Sequence, residues 1–210
     1  MNFKPDYKYI PPISFSFLTP LYDLSCSLSG LGHRFRRKVL GSVQLQGGMV
    51  VADVGCGTGV FLDVASARYP EVKFIGLDPD DRALAMAARR LKGRARVELT
   101  KAFAESLLIA DQVVDVCFST LAFHHMPNAS KKAAIKEIYR ILKKDGKVVI
   151  ADFGKTQSRM FRKALFFEKI EYLEGNLNGL VSQYLKEAGF RNVVVHDRHF
   201  PRIDIIVAEK

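Results

Sequence analysis

Cysteine is scarce in this chain, and the three present, Cys26, Cys56 and Cys117, are odd in number and far apart. Without paired spacing they support neither a disulfide framework nor a zinc site, so no metal ligand is assigned and the chain reads as reduced and intracellular. Long apolar runs are missing as well. No stretch approaches the roughly 18 apolar residues that a membrane span requires, and "MNFKPDYKYIPPISFSFLTP" lacks a basic region followed by an unbroken apolar one. Neither secretion nor insertion is expected, and a cytoplasmic location follows. No internal repeat or low-complexity segment is visible. Acidic residues are in deficit: 22 Asp and Glu face 32 Lys and Arg, a net charge of +10. That balance suits an anionic partner such as a phosphorylated substrate, nucleic acid or an acidic membrane, and equally a merely solvated basic surface.

What is there is enough apolar material for one substantial core, 48% of 210 residues. From Met49 onward, short β-branched runs alternate with helical spacing. "MVVADV", "VKFIGLD", "RVELT", "VVDVCFS" and "KVVIADF" read as strands, the last of them beginning after an Asp145-Gly146 turn. "VFLDVASARY", "DRALAMAARRL" and "KKAAIKEIYRIL" read as helices between them. Strand and helix in series predict a parallel sheet with right-handed crossovers. A helical insertion follows over about residues 155–188, then "RNVVVHD" and "RIDIIVAEK", whose short "RHFP" connection allows only an antiparallel hairpin. The expected fold is a Rossmann-like, doubly wound α/β sheet of seven strands with residues 49–210 as core. Residues 1–48 are expected to form a helical cap or lid over its active edge.

The segment "VADVGCGTG" carries the chemistry. In an open parallel sheet, ligands bind beyond the carboxyl ends of the strands at the point where strand order reverses, and the first strand's glycine turn lies there. Gly55, Gly57 and Gly59 permit positive φ and a close backbone approach, and the helix opening near Thr58 offers unpaired N–H groups. Dinucleotide binders carry G-x-G-x-x-G, whereas the third glycine here comes one residue early. Asp78, ending "FIGLD", suits ribose hydroxyls in either ligand class. Asp53 separates the classes: a carboxylate near the end of a buried strand needs a partner, either a ligand's ammonium or the loop's own N–H groups, and it would repel a pyrophosphate.

On these residues the chain resembles the class I S-adenosylmethionine-dependent methyltransferases, whose first motif is D/E-x-G-x-G-x-G. "VADVGCGTG" matches that motif, "GLDPD" the end of the second strand, and "AESLLIADQVVDV", "STLAFHHMPN" and "EIYRILKKDGKVVIADF" the segments around the fourth and fifth. The resemblance implies S-adenosylmethionine as cofactor, with Asp53, Gly55, Cys56, Gly57, Thr58 and Gly59 around its methionine part. It places Asp78 and Pro79 at the ribose, and Ser119 and Thr120 where the methionine end opens to the acceptor. At the adenine edge the family has Asp or Asn before Ala, whereas this chain has Phe103-Ala104. Phe103 would then stack, Ala104 offer its N–H, and Glu105 act as a substitute acceptor. The N/D-P-P-Y/F signature of adenine methylation and the Pro-Cys of cytosine methylation are both absent, so nucleic acid is not expected as a substrate and Cys117 is expected in the core.

His124 and His125, in the loop after the fourth strand, are the candidate catalytic bases by titration range, with loop packing as the alternative. "SFLTPLYDLSCSLSGLGHRFRRKVL" looks like the start of the ubiquinone and menaquinone C-methyltransferase branch, which makes Tyr22 a candidate to close over the cofactor. Phe161, Phe166, Phe167 and Tyr172 stand where an acceptor pocket would be built. The function expected is methyl transfer to a small apolar, quinone-like or lipid acceptor. The alternatives are an NAD-dependent oxidoreductase on a similar sheet and a non-catalytic cofactor-binding or RNA-associated module. The apolar, proline-broken N-terminal stretch beside "HRFRRK" is expected to act as a lid, to rest peripherally on an anionic membrane, or simply to pack on the domain.

Overall fold

The apolar runs line up side by side as strands of one sheet. The computed structural model describes residues 31–158, 170–199 and 203–210. In chain order these form α1 (His33–Leu40), β1 (Val50–Val54), α2 (Val60–Arg68), β2 (Lys73–Asp78), α3 (Asp81–Arg90), β3 (Val97–Lys101), β4 (Val114–Thr120), α4 (Asn128–Ile141), β5 (Leu142–Phe153), α5 (Ile170–Leu177), α6 (Leu180–Glu187), β6 (Arg191–His199) and β7 (Ile203–Glu209). The spatial order is β3-β2-β1-β4-β5-β7-β6. Strands β1 to β5 pair in parallel, and β7 runs antiparallel to both β5 and β6. The seven-stranded, mostly parallel sheet with an antiparallel end is the architecture expected from the sequence.

Period-two alternation sorts the strands onto two cores. Val51, Phe118, Val149 and Ala151 face the side covered by α1 and α2, where Phe35, Val39, Phe61 and Leu62 are buried. Ala52, Val54, Cys117, Val148 and Ile150 face the other side, against Ile135 and Ile138 of α4 and Leu185 of α6. Each fully buried side chain of this size contributes roughly 1.5–3 kcal/mol. Cys117 lies in the core as expected. The described part of the N-terminal segment joins the same core through Phe35, Val39, Leu40, Val43 and Leu45, and Lys38 ties α1 to β6 by a 2.8 Å ion pair with Asp197. Tyr22, Cys26, Phe161, Phe166 and Phe167 lie outside the described residues, as do most of the proposed lid and part of the helical insertion.

One boundary differs from expectation. β5 begins at Leu142, not after the Asp145-Gly146 turn, because Leu142 already pairs with Val114 before the register shifts towards Val116. The turn becomes a kink within the strand. Asp145 takes the left-handed conformation at φ 63°, and a side chain on Gly146 would sit 2.9 Å from the Lys143 carbonyl. Among the described residues no helix is long and apolar enough to cross a membrane.

Candidate functional site

The strand order reverses between β1 and β4, so the carboxyl ends of these two strands part and leave a crevice between their loops. The glycine loop after β1 fills one side. Gly55, Gly57 and Gly59 all have positive φ, at 76°, 52° and 77°, but they do different work. A Cβ on Gly55 would overlap the Ala122 side chain in the loop after β4, and one on Gly59 would stand 3.0 Å from Ala87 Cβ in α3. A Cβ on Gly57 would meet no heavy atom within 4 Å. Two glycines therefore let the chain pack, and the middle one opens onto space that a ligand can approach closely. Gly59 also caps α2. Arg90 backs the loop, donating to the Thr58 carbonyl and, at 2.8 Å, to its hydroxyl. The Cys56 side chain turns into the core, where burial pushes its thiol up and leaves it unreactive.

Two strand-end acids flank this loop and differ in their partners. Asp78 is well supplied: Oδ2 accepts from the Gly57 N–H and Oδ1 from the Asp80 N–H, both at 2.9 Å. Burial raises it to about 6 against those two hydrogen bonds. Asp53 is 1% exposed, and neither of its oxygens has a hydrogen-bond partner among the described residues. Burial pushes it up to about 8, with Arg36 opposing and Asp78 adding to the shift. Of the two partners the sequence allowed for Asp53, the loop's N–H groups are taken: those of Gly55 and Cys56 go to the Leu77 carbonyl and that of Gly57 goes to Asp78. Beside them Pro79 is half-buried, and the Phe103-Ala104-Glu105 segment hangs from the end of β2 through the Ala102 N–H to Asp78 carbonyl bond.

The other side of the crevice is the exit of β4. Ser119 Oγ donates to the Val54 carbonyl at 2.7 Å, fastening β4 to β1, while Thr120 Oγ1 is buried with no hydrogen-bond partner among the described residues. Leu121 turns the chain with φ 57°, a left-handed conformation that costs a non-glycine residue about 1–2 kcal/mol. A short 3-10 turn, Phe123–His125, follows. Its two histidines, indistinguishable in sequence, have separate environments. His124 is 5% exposed, and its Nδ1 shares a 2.8 Å hydrogen bond with Asp152 Oδ1. Asp152 also accepts from the backbone N–H groups of His124 and Phe153. Burial alone would raise the Asp152 carboxyl, but the His124 imidazole and these N–H groups outweigh it and hold it below its ordinary range. The His125 ring lies 4.0 Å from that of His124, and its Nε2 is buried with no hydrogen-bond partner among the described residues. Burial first, and then His124, push it down to about 3, so it is neutral.

All the sequence candidates within the described residues thus gather at one edge of the sheet. Three participants were missed. Asp152 carries the same signal as Asp53 and Asp78, an acid at the carboxyl end of an apolar strand, here "VVIADF". Lys131 is fully buried and donates to the Tyr172 carbonyl and to Asn128 Oδ1. Burial pushes it down to about 8, opposed by the charge of Asp152. Asn176 is 1% exposed, and neither polar atom of its amide has a hydrogen-bond partner among the described residues. No local pattern separates Lys131 and Asn176 from surface residues of amphipathic helices. Among the described residues no group of three His, Cys, Asp or Glu side chains is placed to hold a metal.

Comparison with known proteins gives this geometry a context. A methyltransferase-domain family model matches residues 51–146, from β1 to the kink in β5. The chain is 30% identical over 176 residues to the ubiquinone/menaquinone biosynthesis C-methyltransferase of Geobacter sulfurreducens, covering 81% of this chain and 68% of the relative. It is 28% identical over 209 residues to the demethylmenaquinone methyltransferase of Lactobacillus johnsonii, covering 86% and 84%. Phosphoethanolamine N-methyltransferase 2 of Haemonchus contortus, solved with S-adenosylmethionine, superposes with a TM-score of 0.72 at 22% identity over 86% of this chain and 43% of that one. That likeness shows the fold.

Proposed function

Because the chain belongs to the class I S-adenosylmethionine-dependent methyltransferases, we propose that its acceptor is a small apolar molecule of the quinol type, held at the carboxyl edge beside the two histidines. The residues present fit the cofactor. Gly57 opens a cradle without a side chain, Asp53 is a buried carboxyl with no hydrogen-bond partner among the described residues, and Asp78 keeps a second lone pair on each oxygen for ribose hydroxyls. In this reading the backbone from Gly55 through Cys56, Gly57 and Thr58 to Gly59 surrounds the methionine part, with Thr120 and the end of β4 opposite. Asp78 and Pro79 take the ribose, and Phe103, Ala104 and Glu105 line the adenine edge. When bound, S-adenosylmethionine supplies an electrophilic methyl carbon on a cationic sulfur. The protein must orient the acceptor on that carbon, exclude water and receive the acceptor's proton.

The observation that carries this reading is the unpartnered, neutral imidazole of His125 beside the hydrogen-bonded His124–Asp152 pair. His124 has its Nδ1 committed to Asp152, so it positions the turn. His125 Nε2 is left to hydrogen-bond a hydroxyl-bearing acceptor and orient it as the new bond to the methyl carbon forms. The buried Phe123, and Phe153 edge-on to His124 at 5.0 Å, make the surroundings apolar. The names of the two sequence relatives support a quinone-like acceptor over other apolar molecules.

The candidate cap in this reading lies within residues 1–48, whose described part, residues 31–48, packs into the core formed with residues 49–210. Deleting residues 1–20 should spare cofactor binding and impair transfer, and full turnover after deletion would remove the lid. The test of the function is transfer of labelled methyl groups from S-adenosylmethionine to reduced naphthoquinones and to lipid and aqueous cell extracts. Label in a quinol supports the proposal. Label confined to water-soluble, non-aromatic products would refute it.

A further inference from the structure

Helix α5 carries a feature that the cofactor site does not use. Leu173, Asn176 and Leu177 are all buried, a spacing of three and four residues that puts them on one helix face. That face belongs to a helix packed on the Phe123–His125 turn and on β5. Two leucines there are ordinary core residues. An asparagine is not, because its amide brings two N–H donors and an acceptor oxygen out of water.

Among the described residues neither Asn176 Oδ1 nor Nδ2 has a hydrogen-bond partner. The backbone around it is fully engaged. The Asn176 carbonyl accepts from the Gly179 N–H at 2.9 Å, the Leu177 carbonyl accepts from the Thr156 N–H at 3.0 Å, and the Tyr172 carbonyl accepts from Lys131. α5 is therefore fastened at both ends with the amide held between. Gly175 lets it come this close, since a Cβ there would overlap Asn128 Oδ1 and stand 3.2 Å from Lys131 Nζ. A helix pinned so tightly has no evident freedom to carry the amide out to water. Buried polar groups without partners are rare, and each calls for an explanation.

The second unpartnered group on this interface supplies one. His125 Nε2 is buried and unsatisfied on the turn that α5 covers. Resting on the acceptor reading above, the geometry points to Asn176 as an acceptor-binding residue. Its amide takes one oxygen of a phenol or quinol, and His125 faces the oxygen or carbon that gives up the proton. A hydroxyl or carbonyl oxygen suits an amide, which can donate to it or accept from it. An acceptor with two ring oxygens would satisfy both orphaned groups at once. A purely apolar acceptor would leave both unpaired, and binding it would gain nothing from this asparagine.

The experiment compares Asn176→Leu with the wild type, each at full length. Leu keeps the branching at Cγ and removes the polarity, at the cost of a larger side chain. Expected are a melting temperature at or above that of the wild type, unchanged affinity for S-adenosylhomocysteine, and an acceptor KM raised at least tenfold with a smaller change in kcat. Asn176→Ser keeps one hydroxyl and should fall between them, and it decides the matter if the leucine variant fails to fold. The acceptor is reduced 1,4-naphthoquinone where the wild type methylates it. Otherwise it is whichever extract component the wild type labels, so that failure of the quinol reading is seen in the wild type alone. An unchanged acceptor KM in the folded variants, or a labelled acceptor lacking any oxygen function, would overturn the assignment of Asn176.

Discussion

The two ends of the sheet treat their polar groups in opposite ways. At the amino end, charges are paired. Asp115 accepts from the Val50 N–H at 2.8 Å and from Lys143 at 2.7 Å. Arg191 reaches Asp145 at 2.9 Å, and Lys210 donates to the Tyr139 and Leu142 carbonyls. Arg140 gathers Glu137, Asp111 and the Ile109 and Leu107 carbonyls. A hollow of about 530 Å³ lies there, but its walls include the already paired Lys143, Asp115 and Asp145. At the carboxyl end, Asp53, Thr120, His125 and Asn176 each hold a buried polar side-chain atom with no hydrogen-bond partner among the described residues. Leaving a buried donor or acceptor unmade costs about 1–3 kcal/mol. One end of the sheet is thus built for stability, and the other accepts a cost that a ligand can offset.

The contrast can be broken most severely at the glycines. Gly55→Ala forces a side chain against Ala122 at a φ of 76°, and overpacking plus a left-handed alanine should together cost about 3 kcal/mol or more. Gly48→Ala, at a φ of 85° with nothing within 4 Å, should cost only the backbone part, about 1 kcal/mol. Denaturant titration of the two variants measures the difference. Equal losses would mean that the crevice is no tighter than an ordinary turn.

Asp78→Ala comes next. It should weaken S-adenosylmethionine by about 1.5–3 kcal/mol and also lower stability, because the Gly57 and Asp80 N–H groups lose their acceptor. Calorimetric affinity together with a melting curve tests both parts, and an unaltered affinity in the folded variant would remove Asp78 from the ribose site. For Asp53 the expectation is a pH dependence. Its carboxyl is raised in the folded state from 3.8 to about 8, so the native protein keeps a proton that the unfolded chain has lost. The Asp53 contribution to the stability of the cofactor-free protein is then fully present below pH 4 and declines as pH rises towards 8, with Asp78 adding the same sign up to about 6, while His125 and Asp152 act in the opposite sense as pH falls. Asp53→Asn should flatten the upper part of that profile and weaken cofactor binding. A profile as steep as the wild type's would show that Asp53 finds a partner. The smallest effect belongs to the amino end: Lys143→Met removes a half-exposed ion pair and should change stability by less than about 1 kcal/mol with cofactor affinity unaltered.

These residues also show which features are legible in a sequence. Gly55, Gly57, Gly59 and Asp78 announce themselves because strand, turn and helix start lie within a few positions, and the antiparallel hairpin follows from a connection too short to cross over. The start of β5 does not, since it depends on Leu142 finding Val114 across the sheet. His124 and His125 are neighbours with identical chemistry, and only the tertiary structure decides which meets Asp152. Asn176 looks like a solvent-facing helix residue until α5 is placed on the turn before it.

The most direct test of the unpaired edge is proton release on cofactor binding. Titrating the protein with S-adenosylmethionine at pH 7 in buffers of different ionisation enthalpy measures it. With Asp53 near 8 before binding, a cation placed against it should expel about one proton per site. Asp53→Asn should release almost none. No proton release by the wild type, or the same release from the variant, would contradict the account.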